Sequence, residues 1–115
     1  MPKPRSTRTT AALESSASVF AALGDETRLR LVRRLCHDGP MSIAKLTTEF
    51  AITRQAITKH LRVMGDAGLV RSSRHGRENV WELEQKRLAE VHRYLQLISK
   101  EWDDTLGRLK DFVER

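Results

Sequence analysis

The sequence predicts a mainly α-helical domain that carries one small β-hairpin. Apolar residues recur at helical spacing in five segments, which gives predicted helices over 11–23, 26–38, 43–50, 54–67 and 85–115. Between the fourth and fifth helices, residues 69–73 and 79–83 alternate in the manner of two strands, and Gly76 between them suits a tight turn. The predicted order is therefore four helices, a hairpin and one long helix.

Size and composition fit one small domain. The chain has 115 residues, 39% of them apolar, which is enough for a modest core. Its single cysteine excludes an intrachain disulfide, and no apolar run approaches the roughly 20 residues that a membrane span needs. Because the basic N-terminal segment lacks the apolar core of a signal peptide, we expect a cytoplasmic protein with no membrane partner.

The first ten residues differ from the rest of the chain. They contain two prolines together with Lys3, Arg5 and Arg8. We expect a flexible basic tail over 1–10, either simply solvated or able to touch phosphates, and a folded domain over 11–115.

Capping residues and helix breakers separate the first four helices. Gly24 ends the first helix, and Asp25 is a good N-cap for the second. The run Asp38-Gly39-Pro40 stops the second helix, and Ser42 and Thr53 can cap the third and the fourth.

The only cysteine, Cys36, falls on the apolar stripe predicted for the second helix, together with Leu29, Val32 and Leu35. A lone thiol on such a stripe is expected to be a small core residue. The alternative is a thiol that senses redox state.

Positive charge is concentrated in the fourth helix and the hairpin. The formal net charge of the chain is +6, and the segment 53–77 alone holds six cations against one anion, Asp66. By contrast, 85–115 holds seven cations against six anions. A cluster of one sign favours a polyanionic partner such as nucleic acid.

The fourth helix has one apolar face and one cationic face. Its apolar stripe, which seats it on the core, comprises Ala56, Ile57, Leu61 and Met64. The opposite face carries no carboxylate and comprises Arg54, Gln55, Thr58, Lys59 and Arg62. An ordinary solvated face mixes charges of both signs, whereas this face suits phosphates and base edges in the major groove of DNA.

The tip of the hairpin is also basic, since Arg74, His75 and Arg77 surround Gly76. A thin hairpin that carries arginines suits the minor groove, which is about 6 Å wide and has a strongly negative potential. A basic helix followed by a basic hairpin is the arrangement of a winged helix-turn-helix.

The last segment predicts one long charged helix, about 46 Å if it is helical throughout. Its apolar residues recur at spacings of three and four, close to a heptad seam, at Leu88, Val91, Leu95, Ile98, Trp102, Leu106, Leu109 and Val113. We expect a second copy of the chain to cover this apolar stripe from Leu88 to Leu109. Val19 and Phe20 of the first helix are expected to belong to the same interface. The alternative is a helix folded back over the core of one subunit.

Two motifs, in this order, resemble a known family. Residues 23–35, LGDETRLRLVRRL, look like the second-helix signature of the ArsR/SmtB-type bacterial repressors. Residues 54–70, RQAITKHLRVMGDAGLV, look like their recognition helix and the turn into the wing, with Thr58-Lys59-His60-Leu61 at its centre. The resemblance covers roughly residues 15–85. It implies a homodimeric winged-helix regulator of transcription, usually a repressor of its own or an adjacent operon.

A dimer of this kind binds a pseudo-palindromic operator in double-stranded DNA, with its two recognition helices in successive major grooves. The candidates for contacts at or near the bases are Arg54, Gln55, Thr58 and Lys59. Arg62 is expected to hold a phosphate. In the wing, the residues expected to meet the backbone or the minor groove are Arg74, His75 and Arg77.

Many members of this family release DNA when they bind a metal or metalloid, and the chain departs from that pattern. Ser42 and Ala44 stand where the arsenic- and cadmium-sensing members have a Cys-x-Cys pair, and they cannot supply thiolates. On the last helix the only imidazole is His92, and Asp103 and Asp104 lie about three turns further on. We therefore expect no metal site in a subunit and no cofactor, with a site across the dimer as the alternative.

No catalytic arrangement is visible in the sequence. A Gly-rich phosphate loop, a GxSxG motif and a CxxC motif are all absent from the 115 residues, so we expect no enzyme. The alternative function is a winged-helix protein-interaction module with only non-specific DNA affinity, and a DNA-binding activator is also compatible. The effector is open between a small organic ligand, a redox signal at Cys36, a partner protein and none.

Overall fold

The computed structural model describes the backbone of residues 4–114 and the side chains of residues 13–114. Five helices and a hairpin follow the predicted order, with one additional short strand. The elements are α1 (Pro4–Leu23), α2 (Glu26–Asp38), β1 (Met41–Ser42), α3 (Ile43–Glu49), α4 (Arg54–Asp66), β2 (Val70–His75), β3 (Glu78–Leu83) and α5 (Gln85–Val113). The predicted winged helix-turn-helix architecture with a long final helix is confirmed.

The first helix begins earlier than the sequence predicts. Pro4 is its first residue, so the segment from Pro4 to Thr10, predicted to be a flexible tail, forms the first turns of α1. Proline is favoured at this position because its φ is already helical and a free N–H there has no intrahelical partner. Lys3 lies outside the described residues, as do the side chains of Arg5 and Arg8.

The predicted helix ends are formed by the expected residues. Each predicted N-cap side chain accepts a hydrogen bond from the backbone N–H three residues later, at 3.0 Å for Asp25, 3.2 Å for Ser42 and 3.1 Å for Thr53. After α4, the chain turns into the wing at Gly68, whose φ of 76° is costly for residues with a Cβ.

The sheet has three antiparallel strands in the order β1-β3-β2. The hairpin pairs Val70 with Leu83 at its base and His75 with Glu78 at its tip. Gly76, with φ of 66°, occupies the first central position of the two-residue turn, where a type II′ turn needs a positive φ. The strand β1 is a two-residue addition to the edge of this hairpin, too short to leave a periodic pattern in the sequence.

The core lies between the helices and the base of the hairpin. Its fully buried side chains are Val19, Leu31, Leu46, Ile57, Leu61, Met64 and Leu69. Three of these belong to the stripe predicted for α4, which confirms that this stripe seats the helix on the core.

The prediction for Cys36 is wrong, because its side chain is exposed. Leu31 and Leu35 are the buried residues of α2, whereas Leu29 is 52% exposed. At about 100° per residue, Leu29 and Cys36 lie together on a face that points away from the core. The apolar residues of α2 fit two helical stripes, and the stripe through Leu31 is the buried one.

Among the described side chains, those of the first turns of α5 pack on the domain. Val91 is buried and Leu88 packs against the core, but the apolar side chains from Leu95 onward are exposed to solvent. The alternative in which α5 folds back over one subunit is therefore not the arrangement observed. Within the described residues, no helix combines the length and apolar character needed to cross a membrane.

Candidate nucleic-acid interface

The cationic face of α4 lies on the surface as one continuous site. The buried stripe of this helix points inward, so the opposite arc faces solvent. Four of the five predicted side chains are exposed, Thr58 is half-buried, and together they line a single shallow depression formed by Arg54, Gln55, Thr58, Lys59 and Arg62. Their placement spans an arc of about 140° around the helix axis.

The cations of this face are not neutralised by the protein. Among the described side chains, no carboxylate lies within ion-pair distance of Arg54, Lys59 or Arg62, and the same holds for Arg74 and Arg77 of the wing. Arg71 differs, because its Nε lies 2.9 Å from Glu82 Oε1 and its Nη1 lies 3.5 Å from Glu84 Oε2. A polyanion that meets these five cations displaces no carboxylate of the described side chains.

The side chain of Thr58 can accept a hydrogen bond from DNA but has no free proton to donate. Its hydroxyl donates to the backbone oxygen of Arg54 at 2.8 Å, so its only proton is used inside the helix. In this arrangement the side chain offers an acceptor oxygen and a methyl group. In a major groove, these suit an amino group of adenine or cytosine and the methyl group of thymine.

The wing residues form a second, separate basic site. Arg74, His75 and Arg77 are exposed around the turn between β2 and β3, and they do not line the depression on α4. Arg74 Nε donates to the oxygen of Gly76 at 3.3 Å, and His75 Nε2 lies 3.0 Å from Ser73 Oγ. The side chains are thus held near the turn by short local contacts.

A cluster of polar side chains connects α4 to the N-terminal end of α2. Nδ1 of the half-buried His60 lies 3.4 Å from Arg28 Nη1 and 3.9 Å from Asp25 Oδ2, and Arg28 Nε donates to the oxygen of Ala22 at 2.5 Å. His60 therefore takes part in a polar contact between α4 and α2. The backbone N–H of Arg28 and, to a smaller extent, its guanidinium charge hold the pKa of the Asp25 carboxyl below its ordinary value.

Arg87, near the start of α5, also connects helices through hydrogen bonds, and its role was not identified from the sequence. Its Nε donates to the oxygen of Ala67, the C-cap residue that follows α4, at 3.2 Å. On α1, its guanidinium donates to the hydroxyl and the backbone oxygen of Ser15, the latter at 3.0 Å. These partners are 20 and 72 residues away in the chain, so no local sequence pattern could have revealed them.

Known proteins with the same arrangement include regulators of transcription. The helix-turn-helix domain family matches residues 23–73. An HTH-type transcriptional regulator of Mycobacterium tuberculosis is 34% identical over 98 residues, covering 75% of this chain and 91% of that protein. An ArsR-like transcriptional regulator from Rhodococcus sp. RHA1 superposes with a TM-score of 0.76 at 37% identity, covering 89% of this chain and 95% of the other.

The chain belongs to the ArsR-type winged helix-turn-helix transcriptional regulators. A more distant structure, a possible ArsR-family regulator from Mycobacterium bovis described as homodimeric, shares the fold with a TM-score of 0.66 at 21% identity. It covers 88% of this chain and 90% of its own.

In this ArsR-type regulator, the side chains predicted for the subunit interface divide into two groups. Val19 and Val91 are covered by their own subunit and Leu88 packs on its core, so these three side chains contribute to the core of the subunit. Leu88 and Val91 share the apolar periodicity of the exposed residues that follow, because the same stripe of α5 first meets its own core and then leaves it.

The remaining predicted interface side chains of this ArsR-type regulator are exposed on one side of the molecule. Phe20 packs edge-on against Tyr94 of α5, with ring centroids 6.4 Å apart. The others continue along α5 as one stripe, hereafter the seam, comprising Leu95, Ile98, Trp102, Leu106 and Leu109.

The two positions that the resemblance compares with a Cys-x-Cys pair, Ser42 and Ala44, carry no thiol. Ser42 uses its hydroxyl oxygen to cap α3, and the exposed Ala44 has no donor atom. Among the described residues, no three His, Cys, Asp or Glu side chains lie close enough together to bind one ion. A soft metal or metalloid would find no thiolate pair in this helix.

Proposed function

We propose that this ArsR-type regulator is a dimeric, sequence-specific DNA-binding protein that represses its own or an adjacent operon and does not respond to metals. The observation that carries the proposal is the carboxylate-free cationic face of α4, held on the core by Ile57, Leu61 and Met64. A major groove about 12 Å wide admits such a helix. The proposed place of action is the cytoplasm.

In the proposed complex, each side chain of α4 has a distinct task. Arg54 and Gln55 in the first turn meet base edges, since arginine suits guanine and glutamine suits adenine. Thr58 and Lys59 lie one turn further along the same face. Arg62 holds a phosphate, which positions the helix without reading sequence.

The wing extends the proposed footprint beyond the recognition helix. Arg74 and Arg77, with His75, would meet the DNA backbone or the adjacent minor groove. Arginine is favoured there because a narrow minor groove has an enhanced negative potential. The paired residue Arg71 has no part in this contact, because Glu82 and Glu84 already balance its charge.

The proposed dimer is supported by the exposed seam of α5. From Leu95 to Leu109 the seam is about 21 Å long, and its central residue Trp102 is 62% exposed. A contiguous apolar stripe of this kind is unusual on a monomeric surface and typical of an interface. Two-fold symmetry of the protein then requires a pseudo-palindromic operator with half-sites one helical turn apart, about 34–36 Å.

We propose that metals do not control the regulator because Ser42 and Ala44 cannot supply thiolate ligands. Repression rather than activation is proposed from the resemblance to the ArsR/SmtB-type repressors.

The experiment that tests the proposal measures binding to the DNA upstream of the regulator's own gene, by gel shift with unrelated DNA as competitor. We expect retention of the upstream fragment at competitor concentrations that remove unrelated probe. Equal competition by both fragments would favour the protein-interaction module instead. Repeating the titration with zinc or with a chelator should leave operator affinity unchanged, and a large shift with zinc would contradict the metal-independent assignment.

A further inference from the structure

The start of α5 is joined to the end of α4 at one corner of the molecule. The backbone N–H of Glu84 donates to the oxygen of Leu69 at 2.8 Å, and Arg87 Nε donates to the oxygen of Ala67 at 3.2 Å. Between these two acceptors lies Gly68, where a Cβ would lie 3.5 Å from Arg87 Nε and 3.8 Å from its Cδ. The turn between the recognition helix and the wing therefore packs directly on the arginine.

Arg87 is also the link from this corner to α1. Its Nη1 donates to the hydroxyl of Ser15 and its Nη2 to the backbone oxygen of Ser15 at 3.0 Å, while Glu90 Oε2 lies 3.2 Å from Nη1. Only 22% of its side chain is exposed. Arginine suits this position because its planar group reaches several acceptors at once and its charge favours the carbonyl end of a helix.

We infer that Arg87 is a positioning residue that sets the angle between the recognition helix and the dimerisation helices, and thereby the operator spacing that the dimer accepts. In the proposed dimer, α1 and α5 face the partner while α4 faces DNA. The distance between the two recognition helices depends on how each α4 is held relative to its own α5. The inference rests on the proposed function and adds the residue that fixes its geometry.

The test compares binding to operators that differ only in half-site spacing. An operator is first selected from random duplex DNA with the full-length wild-type protein, and its half-sites are then moved by one and two base pairs in each direction. Affinities are measured by fluorescence anisotropy for these duplexes and for one unrelated duplex. The central variant is Arg87→Met, which keeps the aliphatic stem and loses every donor.

For Arg87→Met we expect about a tenfold loss of affinity at the optimal spacing and a flattened dependence on spacing. Affinity for the unrelated duplex and the salt dependence are expected to stay at wild-type values, because Arg87 touches no DNA in this scheme. The matched control is Arg93→Met on the opposite face of α5 from the seam, which removes the same charge from an exposed position. It is expected to keep the sharp wild-type profile.

Three outcomes overturn the inference. A folded Arg87→Met protein with the wild-type spacing profile removes the positioning role. A uniform loss on all duplexes with a reduced salt slope shows a direct phosphate contact instead. If Arg87→Met does not fold, Arg87→Lys decides, since a single ammonium group cannot reach α1 and α4 together, and an unchanged profile in that variant overturns the inference. Failure of the proposed function is distinguishable, because the wild-type protein would then select no operator at all.

Discussion

Removing one unpaired cation from α4 is expected to flatten the salt dependence of DNA binding by a predictable amount. Each phosphate contact adds about 0.9 to the slope of log K against log salt concentration. Because a dimer carries two copies of Arg62, Arg62→Ala should reduce the slope by about 1.8. Between 50 and 200 mM salt, a change of 1.8 in slope alters the relative affinity about twelvefold.

The matched control is Arg71→Ala, which removes the same formal charge from a side chain already paired with Glu82 and Glu84. Its slope should stay within a few tenths of wild type, because its charge is balanced before DNA arrives. Anisotropy titrations at four or more salt concentrations, on operator and unrelated duplexes, give the slopes. An unchanged slope for Arg62→Ala, or an equal change for Arg71→Ala, would refute the assignment of Arg62 to a phosphate.

The remaining predictions concern assembly and stability. Trp102→Asp should give monomers in sedimentation equilibrium, whereas Leu97→Asp, on another face of α5, should stay dimeric; a dimeric Trp102→Asp protein contradicts the seam as interface. Leu61→Ala should lower the free energy of unfolding by about 2–5 kcal/mol in urea, because the side chain is fully buried. The exposed control Leu29→Ala should change it by no more than about 0.5 kcal/mol, and equal losses would disprove the burial pattern. The pKa of Asp25 is lowered, so its carboxylate stabilises the fold above its ordinary value of 3.8, and the benefit disappears as pH falls through the lower folded pKa. The stability gap between wild type and Asp25→Ala should therefore close below about pH 3.8, and a gap that persists in acid would contradict this cause.

The elements that the sequence predicted well are those in which local chemistry and tertiary packing agree. The cationic face of α4 could be recognised because Ile57 and Leu61 fix the phase of the helix and leave no second stripe to choose from. The helix starts were likewise predictable, since a cap such as Thr53 acts within three residues of its own position.

The errors came from features that spacing alone does not determine. In α2, Leu29 and Leu31 both belong to plausible apolar stripes, and only packing against α1, α4 and β3 selects the stripe of Leu31. Val91 and Leu95 share one stripe of α5, yet the first is buried in its own subunit and the second is exposed. Arg87 could not have been found, because its role depends on contacts between distant parts of the chain.

The uncovered seam of α5 has a consequence for the dose response of the regulator. If two subunits must associate before either recognition helix has a partner at the correct distance, operator occupancy rises with the square of protein concentration whenever monomers predominate. The stability of the folded subunit then also depends on how much protein is present. A gene that represses itself through such a protein would switch over a narrower range of expression than one controlled by a preformed monomeric binder.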